Sequence, residues 1–152
     1  MNKITTNKAD LEFKCDDVYY TDGLEIAKKL KQVVLFGKNK TCIGLAHNQI
    51  KGNKNVFIAE INGVWRSFIN SKITFCEDKK FKPDEQCMSF PGKSNKIIRW
   101  SKVELKHQVK ARNDNNGSMW RTEVFSGFNA CIIQHEVDHL NGIHIFNKNK
   151  DK

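Results

Sequence analysis

Two histidines and a glutamate late in the chain could hold a metal ion and move a proton. His135, Glu136 and His139 lie in the segment QHEVDH, residues 134–139. Residues four apart share one face of an α-helix, so the two imidazoles can bind one divalent ion. A glutamate beside them can act as a general base on a water. The pattern favours a hydrolytic metal site over accidental histidines on a solvated helix.

The residues around this segment predict that it belongs to a buried helix. The pattern spans 127–141, with Ser126 as candidate N-cap and Asn141-Gly142 as the stop. The flanking residues Phe128, Cys131, Ile132, Ile133 and Leu140 are apolar. Burying histidine and carboxylate groups without compensation is costly, and metal ligation would remove that cost.

A catalytic metal site of this type needs a third protein ligand and one open position. In one class of HExxH proteases the third ligand is a downstream glutamate, and in another it is a histidine six residues after the second one. No glutamate follows Glu136, and the residue six positions after His139 is Ile145. His144 is one residue out of register, and we interpret it as a partly exposed residue beyond the helix. Cys87 is the upstream candidate, because a thiolate is a good ligand for zinc or iron. A single cysteine is more often a buried thiol, so both interpretations stay open at this point.

The rest of the chain predicts an α+β fold, with antiparallel strands packed around this late helix. Apolar spacing predicts a helix over 22–36, with Asp22 as its cap. Asn62-Gly63 predicts a hairpin between strands at 56–61 and 64–70. An extended stretch over 97–112, a turn at 114–117 and a strand at 120–125 predict a second hairpin. No repeat or linker is evident, so we expect one domain over residues 1–152.

Composition excludes several classes of protein. No apolar run approaches the roughly 18 residues of a membrane span, and the polar N-terminus lacks a signal core, so we expect a cytoplasmic protein with no membrane partner. The five cysteines are odd in number and include no CxxC pair, which argues against a disulfide framework. The net charge of +9 favours a solvated basic surface over nucleic-acid binding, although proximity to the ribosome would also explain it.

Three segments in order resemble the signature motifs of the peptide deformylases. The segment GLAHNQ at 44–49 is similar to GxGLAAxQ, and EQCMS at 85–89 is similar to EGCLS. The segment QHEVDHL at 134–140 resembles QHExDHL. The resemblance extends from about Leu24 to Phe146. It implies the deformylase fold and removal of the formyl group from the formylmethionine of nascent polypeptides, with release of formate.

The resemblance also implies a role for each matching residue. Cys87, His135 and His139 would bind one divalent metal ion, natively Fe²⁺, with Zn²⁺, Ni²⁺ or Co²⁺ as substitutes. Glu136 would act as general base and then general acid. Gln49, through its side-chain amide, and Met88, through its backbone N–H, would stabilise the oxyanion. The methionine side chain of the substrate would enter an apolar pocket, and residues near the motifs are its predicted lining: Ile43, Leu45, Cys131 and Ile132. Arg99 would form an ion pair with Asp138, and this contact would steady the helix that carries the two histidine ligands.

The match departs from the family pattern at several positions. Cys42 and Gln86 replace glycines of the first two motifs, which puts side chains beside the expected peptide path. His47 replaces an alanine, and we interpret it as a packing or solvent-facing residue. The chain ends soon after Phe146, so it resembles the shortened deformylases of some phages, which would place it in a host cytoplasm. We expect a monomer with weak ribosome association.

Two other functions remain open from the sequence. An HExxH metalloprotease would cut internal peptide bonds, but the expected downstream ligand is absent. A basic nucleic-acid-binding module with a structural metal would need four protein ligands, whereas three candidates and an activating glutamate are found.

Overall fold

The computed structural model describes residues 3–37, 42–77, 79–112 and 117–148, so the predicted turn at 114–117 lies, apart from Gly117, outside the described residues. The helices in these ranges are α1 (Tyr20–Phe36) and α2 (Gly127–Leu140). The strands are β1 (Gly44–Ala46), β2 (Val56–Ile61), β3 (Val64–Cys76), β4 (Lys80–Phe81), β5 (Asp84–Gln86), β6 (Ser94–Lys96), β7 (Arg99–Trp100), β8 (Lys102–Lys110) and β9 (Ser118–Ser126). None of the described helices is both long and apolar enough to cross a membrane.

Five strands form one antiparallel sheet in the order β1-β2-β3-β8-β9. Two small antiparallel pairs, β4 with β7 and β5 with β6, lie outside it. Asn62 and Gly63 both have positive φ, as a two-residue type I′ hairpin turn requires. These features confirm the predicted α+β fold with antiparallel strands and a late helix.

The sheet lies between the two helices, and side-chain alternation along β2 explains why. Ile58 faces α1, whereas its neighbours Phe57 and Ala59 face α2. The α1 layer joins buried side chains of the helix to those of β1–β3: Ala27, Leu30, Val33, Val34, Leu45, Val56, Ile58 and Ile69. The α2 layer contains Phe57, Ala59, Phe68, Val103, Leu105, Phe125, Ile133 and Val137. The helix with the candidate ligands is therefore central in the core.

Several predicted boundaries differ from the structure. The first helix begins at Tyr20, and its N-cap Tyr19 makes no side-chain hydrogen bond, so the prediction of Asp22 as cap is wrong. The extended stretch is divided at Ser101, whose N–H donates to the Lys79 carbonyl and whose carbonyl accepts from the Gly127 N–H. Pairing with these neighbours removes Ser101 from the strand ladder and separates β7 from β8.

The segment before α1 ties distant parts of the chain together, and the sequence patterns did not predict this. The Thr5 N–H donates to the Gln49 carbonyl over 2.7 Å, and the Cys15 N–H donates to the Leu140 carbonyl over 2.8 Å. Between them, Leu11 is fully buried in a small cluster with Cys87, Phe90, Ile97 and Ile145. The segment therefore packs behind the cysteine of the second motif.

Replacing Phe68 with alanine should strongly destabilise the fold. Phe68 is fully buried and stacks on Phe57 with 4.7 Å between ring centroids. Loss of such a ring lowers the free energy of unfolding by about 3–5 kcal/mol. Urea denaturation measures the change, and Phe75→Ala on the same strand, where the side chain is 57% exposed, is the control. Equal losses in the two variants would contradict this account of the core.

Candidate metal centre and active site

Helix α2 brings the two histidines of the late motif together. The His135 and His139 Nε2 atoms are 3.2 Å apart, as residues one turn apart on one helix face allow. His139 is fully buried, and His135 is mostly buried at the edge of a cavity. The Asn48 side-chain amide donates to the His139 carbonyl over 2.5 Å, which joins the first motif to the last.

Cys87 reaches the same point from another part of the fold. It follows β5 and opens a turn in which the Phe90 N–H donates to its carbonyl. Its Sγ is 3.3 Å from the His139 Nε2, and the ligand atoms of Cys87, His135 and His139 all lie within 4.8 Å of one another. Tetrahedral zinc with ordinary N and S bond lengths separates its ligands by roughly 3.3–3.6 Å. The separations of 3.3 Å between Cys87 and His139 and 3.2 Å between the two histidines match this spacing, so the donor set suits one divalent ion.

Glu136 is buried beside this donor set, at only 3% exposure, and its Oε1 has no hydrogen-bond partner in the described chain. Burial raises the pKa of its carboxyl to about 7. A β-carbon at Gly44 would overlap the Glu136 carboxylate, so glycine is needed on the facing strand. The carboxylate therefore occupies the space that Gly44 leaves open at the cavity wall, with one oxygen available to accept a proton.

Gln49 lies on a one-turn 3₁₀ helix, His47–Ile50, just after β1. Its Oε1 accepts from the Ala46 N–H over 3.0 Å, and its Nε2 donates to the Ser89 Oγ over 3.2 Å. These contacts fix the amide orientation, with Nε2 also 3.6 Å from the Cys87 Sγ. Met88 lines the same cavity. The structure therefore brings all six predicted site residues into one region.

An almost fully buried arginine connects the strand before Cys87 to α2. Arg99 donates from Nε and one terminal nitrogen to both Glu85 oxygens, over 2.6 and 2.7 Å. Its other terminal nitrogen donates to Asp138 over 2.5 Å, which is the contact implied by the resemblance. Lys148 also pairs with Asp138, over 2.9 Å.

Sequence reasoning missed the role of Glu85. Its Oε1 lies 2.8 Å from the His135 Nδ1, so it orients the ring whose Nε2 faces Cys87 and His139. Burial opposes its ionisation, but hydrogen bonds from Arg99 and His135 outweigh that effect and lower its pKa to about 2. No local sequence pattern indicated this contact, because it depends on the packing of β5 against α2.

The cavity beside the donors has a volume of about 500 Å³. Of the predicted lining residues, Ile43, Cys131 and Ile132 contribute to it. The prediction for Leu45 is wrong, because alternation along β1 turns its side chain to the α1 layer. The departures Cys42 and Gln86 do line the cavity.

The other two histidines of the motif regions lie away from the donor set. The His47 ring packs over Gly52, and its Nδ1 accepts from the Lys54 N–H over 3.1 Å. This agrees with its interpretation as a packing residue. The expectation that His144 is partly exposed is wrong. It is buried, with its ring 4.8 Å from Phe90 and its Nε2 3.0 Å from a Glu12 oxygen.

Fold and site together define an α+β protein with a candidate three-donor metal centre beside a buried glutamate. The chain belongs to the polypeptide deformylase family, whose family model matches residues 1–152.

Individual relatives agree with this assignment. The chain is 32% identical over 101 residues to a peptide deformylase of Treponema pallidum, and the match spans 66% of this chain but only 59% of that relative. The solved peptide deformylase of Thermotoga maritima superposes with a TM-score of 0.83 at 23% identity, covering 96% of this chain and 95% of that one. A probable peptide deformylase from synechococcus phage S-SSM7 gives 0.81 at 27% identity, covering 96% and 98%.

Replacing Glu85 with glutamine should weaken metal binding without removing a ligand. Glutamine keeps the shape but loses the charge that orients His135, and such partners contribute about 10- to 100-fold to metal affinity. Competition between the protein and a chelator for Zn²⁺ measures the change. Glu77→Gln, which removes a half-exposed carboxylate that pairs with Lys102, is the control. Unchanged affinity in the Glu85 variant would contradict the assigned role.

Proposed function

We propose that this protein removes the formyl group from the N-terminal formylmethionine of nascent polypeptides and releases formate. The observation that supports it most is the convergence of Cys87, His135 and His139 beside a buried, partly unpaired Glu136, at the wall of an open cavity. Family membership adds the reaction type. Because the match to the Treponema relative spans only part of its length, the activity of the whole relative is carried over here as a proposal.

Cys87, His135 and His139 would hold one divalent metal ion, with Fe²⁺ expected in the cell and Zn²⁺, Ni²⁺ or Co²⁺ as substitutes. A donor set of one thiolate and two imidazoles suits these ions. When bound, such an ion acts as a Lewis acid and lowers the pKa of water. Three protein donors leave one position for substrate or water.

Glu136 would move the proton in both halves of the reaction. It would take a proton from the attacking water and give it to the departing amine as the carbon–nitrogen bond breaks. The N-formyl amide and one water molecule are thereby converted to formate and a free N-terminal amine. The unpaired Oε1 is free for this proton, and Gly44, which has no β-carbon, leaves the space that the carboxylate occupies.

Gln49 and Met88 would stabilise the negative charge that develops on the formyl oxygen. The Gln49 amide is oriented by the Ala46 N–H and the Ser89 Oγ at the wall of the cavity. Loss of one such donor typically lowers the rate by about 100- to 1,000-fold. The Met88 backbone N–H is assigned by analogy with the family motif.

The methionine side chain would enter the cavity, where Ile43, Cys131 and Ile132 supply apolar surface. The partners would be formylmethionine peptides and, weakly, the ribosome. A monomeric state, a single domain over residues 1–152 and a cytoplasmic location remain predictions.

Formate release from a formylmethionine tripeptide tests the proposed activity. The protein should be purified without oxygen and its metal content measured in the same sample. Formate release that depends on bound metal supports the proposal. Cleavage of casein without formate release would instead indicate a metalloprotease.

Replacing Glu136 with glutamine should abolish turnover while metal binding is kept. General acid–base catalysis contributes about 100- to 10,000-fold, so the formate assay should show a loss within or above that range. Metal analysis should show an unchanged stoichiometry, because the three donors remain. Glu25→Gln, at an exposed carboxylate of α1, is the matched control. Substantial activity in the Glu136 variant would refute the assigned mechanism.

A further inference from the structure

One part of the main sheet faces solvent beyond the cover of α1. In β8, Val103 and Leu105 are buried against α2, so the alternate residues Lys106 and Lys110 point to the other side. The strand register places further residues on this side of the sheet. We call this surface the open sheet face, and it consists of Lys72, Phe75, Lys106, Lys110, Trp120 and Val124.

The open sheet face carries cations without anionic partners. Lys72 and Lys106 are directly opposite each other in the antiparallel pair of β3 and β8, where like charges are destabilising. Within the described ranges, no ion pair joins Lys72, Lys106 or Lys110 to an acidic side chain. Two carboxylates lie beside this face and have other partners: Glu104 accepts from the Thr74 hydroxyl over 2.9 Å, and Glu77 pairs with Lys102 over 3.6 Å. A bound polyanion would relieve the repulsion between the paired lysines.

Large apolar side chains lie exposed between these lysines. Phe75, Trp120 and Val124 are each about half exposed, at 57%, 47% and 55%. The Lys106 Nζ lies 5.0 Å from the Trp120 ring centroid, so a cation and a stacking surface are adjacent. Proteins that bind single-stranded nucleic acid combine a basic surface for phosphates with aromatic rings on which bases stack.

We propose that the open sheet face binds single-stranded RNA. A second copy of the chain laid on this face would bring lysines against lysines. Bare phosphate would explain the lysines but would leave the exposed rings without a partner. An anionic membrane could accept both the lysines and the rings, so binding to vesicles is one of the outcomes that the test distinguishes. The choice of RNA over DNA rests on the proposed function, because an enzyme acting on nascent chains works beside RNA.

The position of the face is compatible with catalysis. It includes β9 at one edge of the sheet, whereas β1, whose Gly44 approaches Glu136, lies at the opposite edge. RNA on the open sheet face would therefore hold the enzyme near its substrate without covering the cavity.

Fluorescence anisotropy of a labelled oligouridylate, titrated with the intact protein, tests the proposal. Trp120→Ala should weaken binding by about tenfold, since stacking on one ring supports that much affinity. The double variant Lys72→Gln/Lys106→Gln should reduce the slope of log affinity against log salt by about 1.4. Formate release from a tripeptide should be unchanged in these two variants and in Phe75→Ala. None of the substituted residues lines the cavity.

Matched controls distinguish binding at the open sheet face from nonspecific effects of any exposed lysine or any exposed aromatic ring. Lys28→Gln removes an exposed lysine of α1, and Phe36→Ala removes an exposed ring at the end of α1. Neither should change RNA affinity by more than about twofold, the scale of a minor surface effect. Absence of RNA binding, equal losses in the controls, or equally tight binding to DNA or to phosphatidylserine vesicles would overturn the proposal. If the unmodified protein releases no formate but binds RNA, and the face variants lose that binding, the proposed activity is wrong and the RNA-binding proposal is still supported.

Discussion

The buried contacts of Arg99 determine the geometry on which the candidate site depends. The guanidinium holds Glu85, two residues before the candidate ligand Cys87, and Asp138, directly before the candidate ligand His139. Removing one partner of a buried ion pair typically costs about 3–5 kcal/mol, because a charge remains without compensation. Strand β5 and helix α2 therefore keep one relative position. Ligands far apart in the sequence converge because this ion network joins the segments that carry them.

The predictable parts of the fold were those encoded by local patterns. Helical spacing indicated α1 and α2, and Asn62-Gly63 identified the β2–β3 hairpin, because such signals act within a few residues. Other features depend on contacts between distant segments. Strand β3 continues to Cys76 because β8 lies beside it, and Ser101 leaves its strand because Lys79 and Gly127 offer hydrogen bonds. No local pattern contains that information.

The candidate site was predictable at its donors and less so around them. His135, Glu136 and His139 share one helix face, so their geometry follows from their spacing. The roles of Glu85, Asn48 and Ser89 became visible only when β5 and the 3₁₀ helix were packed against α2. Leu45 shows an error of the other kind, a residue wrongly assigned to the site. It lies in the first motif and was therefore predicted to line the cavity, but strand alternation points its side chain into the α1 layer.

The segment before α1 has a consequence for the order in which the molecule can form. Residues synthesised early, such as Leu11 and Cys15, pack against Ile145 and the Leu140 carbonyl, which are synthesised late. Contacts so far apart in the chain require closure of very long loops, and topologies of this kind fold slowly. During translation, Leu11 must therefore stay exposed or make temporary contacts until α2 has left the exit tunnel. The native contacts of Leu11 and Cys15 can therefore form only after residues 140–145 have been synthesised.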